Sequence, residues 1–147
     1  MTDKLFSVAG QIVLAVGASR GIGRALAAGF AERGAKVIIA GREPAVLETV
    51  AREISQDVPV EIGACDVSRE EDIHRLVADV MQRHGRIDTL LNVSGINVRK
   101  RVETYTSEEY DRIINTNQRG LFLSAQAAGR HMLAAGRGSI VNIDSLN

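Results

Sequence analysis

Five short runs of Val, Ile, Leu and Ala recur along the chain, and the stretches between them carry helical spacing. The runs are Gln11 to Val16 (QIVLAV), Lys36 to Ala40 (KVIIA), Val60 to Ala64, Thr89 to Val93 and Ser139 to Ile143, the third being the weakest. A strand that is apolar at successive rather than alternate positions is buried on both faces. Such runs alternating with helices predict a parallel sheet covered on both sides, and right-handed crossovers make it doubly wound. The expected fold class is therefore α/β. The last run, too, reads as a buried strand.

Helix limits follow from local chemistry. The first helix spans about Gly21 to Arg33 and stops at Gly34, a residue suited to a left-handed cap. Pro44 opens the second, where its missing N–H does no harm, and that helix reaches about Ser55. Ser68 and Glu71 stand at capping-box spacing before a helix ending near Gly85; Thr106 and Glu109 repeat the spacing. The stretch after Glu109 is one long helix or two in succession, closed by Gly136.

With no linker, repeat or low-complexity segment, 147 residues form one domain over 1–147. Its 18 basic and 18 acidic residues cancel, which argues against a sequence-independent grip on nucleic acid or an acidic membrane surface. No apolar run approaches the roughly 18 residues of a membrane span, and the start, with Asp3, does not resemble a signal peptide. Cys65 is the only cysteine and has no internal disulfide partner, so a reducing, cytoplasmic setting is expected. His74, His84 and His131 show no metal-ligand grouping.

The first strand runs straight into "VGASRGIGRALAAGF", placing Gly17, Gly21 and Gly23 between a strand and a helix. Glycines here allow a tight turn, a close backbone approach to a pyrophosphate and close helix–sheet packing. The free N–H groups of the helix start then face the anion. The alternative is a tight turn with no ligand. Following the first strand of an α/β pattern, the loop favours a dinucleotide and a Rossmann-type sheet.

This G-x-x-x-G-x-G loop resembles that of the short-chain dehydrogenase/reductase family. "ACDVS" (Ala64 to Ser68) resembles that family's adenine-contacting Asp-Val, and "DTLLNVSG" (Asp88 to Gly95) its D-x-L-V-N-N-A-G. "INTNQRGLF" is similar to its N-x-x-G helix segment, and "GSIVNIDS" to the strand leading to its catalytic serine. The resemblance covers essentially the whole chain. It departs at Val16, where the family usually has Thr, and at Val93-Ser94 in place of Asn-Ala; both are expected to be tolerated. The cofactor contacts it implies are Gly17, Ser19, Arg20, Gly21, Ile22, Gly23, Arg42, Asp66, Val67, Asn92 and Gly95.

An NAD site places an acid near the end of the second strand, whereas an NADP site wants room and positive charge for the 2′-phosphate. Gly41 supplies the room and Arg42 the charge, and Arg20 approaches from the glycine loop. NADP(H) is therefore expected over NAD(H). The alternative is that both arginines are solvated surface residues, one neutralised by Glu43.

By resemblance, Asn117 is the asparagine of the proton relay and Ser145 orients a carbonyl oxygen, in an exchange of hydride between nicotinamide and a small-molecule alcohol or ketone. Asn117 could instead merely interrupt a helix, and Ser145 merely end a strand. The family's Tyr-x-x-x-Lys pair is absent. Tyr105 and Tyr110 are the only tyrosines, and neither has a lysine four positions on. The resemblance thus implies the N-terminal portion of a longer enzyme, its sheet incomplete at the C-terminal edge and its last strand uncovered. Alone, the piece is expected to bind the adenosine half without turnover.

Arg99, Lys100 and Arg101 follow the fourth strand, either as a solvated loop or as an attraction for an anionic substrate. This loop and "SLN" resemble gluconate 5-dehydrogenases and related sugar-acid dehydrogenases, while a ketoacyl or general ketone reductase stays open. The apolar helix "GLFLSAQAAGRHMLAAG" implies, by resemblance, a homotetramer or dimer. Two further readings compete: a catalytically silent dinucleotide-binding module, and a methyltransferase, against which Arg42, Asn117 and Ser145 argue.

Overall fold

The computed structural model describes residues 4–55 and 58–144. Five strands form one parallel sheet in the order β3-β2-β1-β4-β5: β1 (Ile12–Val16), β2 (Lys36–Gly41), β3 (Glu61–Ala64), β4 (Thr89–Asn92) and β5 (Ser139–Asn142). The chain builds outward from β1 through β2 to β3, then returns to the other side of β1 for β4 and β5. That reversal opens a crevice at the carboxyl ends of β1 and β4.

Side chains alternate across a strand, and β1 shows what this does to a run buried throughout. Val13 and Ala15 face the cluster under α1 (Gly21–Ala31) and α2 (Pro44–Ile54), joined there by Ala27, Leu47 and Val50. Ile12, Leu14 and Val16 face the other cluster. That one lies under α3 (Glu70–His84) and a long C-terminal helix, with Ile73, Leu76, Val77 and Val80 at helical spacing. The sheet is doubly wound, as its uninterrupted apolar strands require.

The long helical stretch is continuous but not uniform. It consists of α4 (Ser107–Ile114), a π-turn (Asn115–Arg119) and α5 (Gly120–Ala135). The Thr106 capping box forms as expected: the Glu109 N–H donates to Thr106 Oγ1 at 3.2 Å, and the Thr106 N–H to Glu109 Oε2 at 2.9 Å. The box expected at Ser68 and Glu71 does not form. Helix α3 has Arg69 at its N-cap with no side-chain cap bond, because the Ser68 hydroxyl donates instead to Asp66 Oδ1 at 2.7 Å.

Strand β5 is the uncovered last strand that the resemblance implied, and it corrects only the reading of its composition as buried. All four of its residues are exposed, Ile140 and Val141 at 38% and 41%. Its one strand neighbour is β4, and α5 approaches it through Gly129, where a Cβ would lie 3.8 Å from Ile140 Cδ1. Among the described residues the sheet is not closed beyond it. No described helix is long and apolar enough to cross a membrane, and no described group of three or more His, Cys, Asp or Glu could hold a metal ion.

Candidate nucleotide-binding site

The glycine loop is held to β2 by its own backbone. The N–H groups of Gly17 and Ala18 both donate to the Ala40 carbonyl, at 2.8 and 3.2 Å. Gly17 has φ +90, and a Cβ there would lie 2.5 Å from the Ser94 backbone nitrogen. A Cβ on Gly23 would run into the Gly17 carbonyl oxygen. Both positions therefore require glycine, one for its φ and the chain leaving β4, the other to seat α1 on the loop. Helix α1 starts after Arg20 with no side-chain cap and no acid in its first turn. Its first N–H groups are open to an anion.

Around this helix start Arg24 pairs with Glu53 at 2.8 Å, while two other arginines have no such partner among the described residues. Arg20 and Arg42 are exposed, and among the described residues neither side chain has a hydrogen-bond or ion-pair partner. Gly41 lies beside Ser19, a Cβ on it falling 3.9 Å from Ser19 Cβ, so the two arginines leave from adjoining segments. Glu43 makes no ion pair with Arg42. Ile22, next to the loop glycines, is exposed at 60%.

Asp66 and Val67 close the crevice on the β3 side. Asp66 accepts the N–H and the hydroxyl of Ser68, at 2.9 and 2.7 Å, and its own N–H donates to Asp72 Oδ2 at 3.0 Å. Val67 packs on the start of α5, where a Cβ on Gly120 would meet the Val67 carbonyl oxygen at 2.6 Å. Burial, followed by the nearby Asp72 and Asp66 carboxylates, pushes the Cys65 thiol up to about 12, which makes it an inert packing group.

On the β4 side the polar side chains are tied to the frame. Asn92 is 2% exposed, and its Nδ2 donates to Asn142 Oδ1 at 3.0 Å and to the Leu121 carbonyl at 3.3 Å. Asn117, within the π-turn, makes a two-point contact with one residue: the Ile96 N–H donates to its Oδ1 at 2.8 Å, and its Nδ2 donates to the Ile96 carbonyl at 2.8 Å. Gly95 lies against the same carboxamide, 3.7 Å from Oδ1 to a Cβ built on it. Ser145 lies outside the described residues. Of the residues that depart from the motifs, Val16 lies within one core cluster and Val93 against the other.

The basic loop is largely self-neutralised. Lys100 pairs with Glu109 at 2.5 Å and lies 5.4 Å from the Tyr105 ring centroid, while Arg101 pairs with Glu103. The Tyr105 hydroxyl donates to the Val98 carbonyl. Arg99 alone of the three has no side-chain partner among the described residues. Two open clefts, of about 360 and 500 Å³, lie elsewhere, by Gln11, Arg86 and Arg137 and by Arg52, Glu61 and Arg83.

Sequence reasoning missed three parts of this arrangement: the π-turn, the Asn117–Ile96 clamp and the bond from Asp66 to Asp72. Only Gly120 gave a signal, as a glycine inside an otherwise good helix pattern.

Residues 11–147 match the short chain dehydrogenase family. Over 143 residues the chain is 36% identical to gluconate 5-dehydrogenase of Gluconobacter oxydans and 34% identical to an NAD-dependent glycerol dehydrogenase of Listeria innocua. In each case 97% of this chain is aligned and spans 56% of the relative. Among solved structures, a metagenomic short-chain oxidoreductase in complex with NADP superposes with a TM-score of 0.90 at 36% identity. That match covers 96% of this chain and 65% of the other. The chain belongs to the short chain dehydrogenase family.

Proposed function

We propose that the chain is the nucleotide-binding part of an NADP(H)-dependent oxidoreductase that interconverts a secondary alcohol and a ketone. The observation that carries the NADP reading is the pair of unpartnered arginines, Arg20 and Arg42, beside an uncapped helix start. The glycine loop fits the pyrophosphate, since it ends in a helix start with no side-chain cap and no acid in its first turn. Ser19, Gly21 and Ile22 line the same loop, Asp66 and Val67 meet the adenine, and the Asn92 to Gly95 segment flanks the path toward the nicotinamide. When bound, NADP(H) supplies the hydride or accepts it. Ser145 orients the carbonyl oxygen. The Asn117 side chain is committed to Ile96, so contact with a relay water falls to its backbone carbonyl, in a π-turn where the helical ladder is locally reset.

Similarity to gluconate 5-dehydrogenase supports a sugar acid as the substrate, with Arg99 the cation of its loop that has no partner among the described residues. The 147 residues contain no Tyr-x-x-x-Lys pair, so alone they bind nucleotide without turnover. A cytoplasmic setting suits the single buried Cys65. Phe122 and Leu133, 60% and 84% exposed on α5, suit a homo-oligomeric parent, a tetramer or dimer.

Calorimetric titration with NADPH and NADH tests the reading. Charge-assisted hydrogen bonds contribute roughly 1.5–3 kcal/mol each, so two of them favour NADPH by about a hundredfold or more. In the Arg20→Ala/Arg42→Ala double variant the two affinities should converge, with NADH binding unchanged. Equal affinities in the unsubstituted chain would refute the NADP assignment.

A further inference from the structure

The turn after β3 has an asymmetric carboxylate. Asp66 takes both Ser68 donors on one oxygen, Oδ1, and its Oδ2 has no partner among the described residues. The direction of that free oxygen depends on how the Asp66 backbone is held. Its carbonyl accepts from the Arg69 N–H at 3.0 Å, a bond internal to the turn. Its N–H reaches further, to Asp72 Oδ2 at 3.0 Å in the first turn of α3.

Asp72 is built for that contact. Its side chain is 15% exposed, and its second oxygen is occupied by Arg75 Nη2 at 2.8 Å. The Asp66 N–H does most to hold the Asp72 carboxyl below its ordinary range, with Arg75 adding to this against the effect of burial. Support for the helix dipole does not explain the residue. The first turn of α3 already carries Glu70 and Glu71, which meet the preference for acids at a helix start. Glu70 turns instead to Arg119, at 2.8 Å, and Asp72 is the acid that reaches back to the strand end.

We infer that Asp72 is a positioning residue for base recognition, fixing the Asp66 turn so that the free carboxylate oxygen meets the exocyclic amine of adenine. This rests on the nucleotide-binding reading above. The chemistry is selective. An amine donates to a carboxylate, whereas the carbonyl of hypoxanthine at the same position has no proton to give. Asp72 touches no ligand; it acts through Asp66.

The test compares the affinity of the 147-residue chain for NADPH with that for its hypoxanthine analogue, by calorimetry. The unsubstituted chain should prefer NADPH by roughly tenfold or more, the ratio that a hydrogen bond to a charged acceptor supplies. Asp72→Ala should bring the ratio within about threefold while changing affinity for the hypoxanthine analogue by less than about twofold. Asp72→Asn keeps an acceptor for the Asp66 N–H and should restore most of the preference. If circular dichroism shows Asp72→Ala to be unfolded, Asp72→Ser replaces it, being at home in a helix start but too short to reach Asp66. A folded Ala or Ser variant with the full preference overturns the assignment. So does an equal loss for both nucleotides, which marks a purely structural role, or an Asn variant no better than Ala. A chain that binds NADPH and its analogue alike refutes the amine contact, and Asp72 with it. A chain that binds neither refutes the nucleotide-binding reading itself.

Discussion

Two glycines on α5 should give opposite answers to the same substitution. A Cβ on Gly129 would meet Ile140 Cδ1 at 3.8 Å, an ordinary contact. A Cβ on Gly120 would meet the Val67 carbonyl oxygen at 2.6 Å, with Val67 Cβ at 2.9 Å and Cγ2 at 3.0 Å. Both residues are helical, Gly120 having φ −61 and ψ −41, so alanine gains about 0.8–1 kcal/mol of helix propensity at either position. At Gly129 that gain stands almost alone. At Gly120 the new methyl must displace a backbone carbonyl, and overpacking of this kind costs about 1–3 kcal/mol. Gly129→Ala should therefore stabilise by roughly 1 kcal/mol. Gly120→Ala should destabilise by a similar amount, roughly 1 kcal/mol.

Thermal unfolding followed by far-UV circular dichroism reads the difference directly. One kcal/mol moves Tm by about 2–4 °C in a chain of this size, which separates the two variants by roughly 4–8 °C in opposite directions. The Gly120 variant should also bind NADPH more weakly, because the displaced group belongs to the Asp66–Val67 turn. If Gly120→Ala raises Tm as much as Gly129→Ala does, the contact between α5 and Val67 has slack and the argument fails.

Two further outcomes follow from charge and burial. Asp88 accepts the Ile12 N–H and Arg86 Nε, both at 2.8 Å; burial pushes its carboxyl up, but those bonds and the Arg86 and Arg137 charges outweigh it, so its pKa is lowered. A carboxyl depressed by folding contributes stability that is complete above its unfolded pKa, about 3.9. That contribution is lost as pH falls through the folded value. Urea unfolding from about pH 5 downward should accordingly show a shallower acid decline in Asp88→Asn than in the unsubstituted chain, and identical slopes would refute the linkage. Cys65, 3% exposed with its thiol near 12, should resist a thiol reagent in the native chain and react at once in urea; rapid native labelling would contradict its burial.

How far the sequence discloses this molecule depends on which physical term decides each feature. β1, β2 and β4 are legible because burial on both faces leaves them uniformly apolar, as Val13 and Leu14 on opposite faces show. β5 reads alike in composition yet lies exposed, since a run of Ile and Val does not record whether anything covers it. Two capping boxes have the same spacing, but only Thr106 forms one, because Asp66 stands two residues before Ser68 and takes its hydroxyl. Local competition of this sort is absent from a spacing rule. The glycine loop was legible because Gly17 and Gly23 are forced by backbone contacts. Asn117 stood out by resemblance, but its contact with Ile96 was not legible.

The π-turn explains why that last contact escaped notice and what it accomplishes. A single residue of extra winding rotates everything beyond it, so α4 and α5 present different faces without a break in the chain. Around those five residues, both walls of the crevice are set. Toward the β3 side, Arg119 holds Glu70 at 2.8 Å and the adjoining Gly120 seats Val67. Toward the β4 side, Asn117 clamps Ile96, and the Leu121 carbonyl accepts from Asn92. Each contact is short-range and made by a different residue, and a regular α-helix would turn Asn117 and Gly120 to a different relative angle. Straightening the turn would therefore release one wall or the other. The spacing between the β3 side and the β4 side of the crevice is thus set by the winding of one helix as well as by the sheet beneath it.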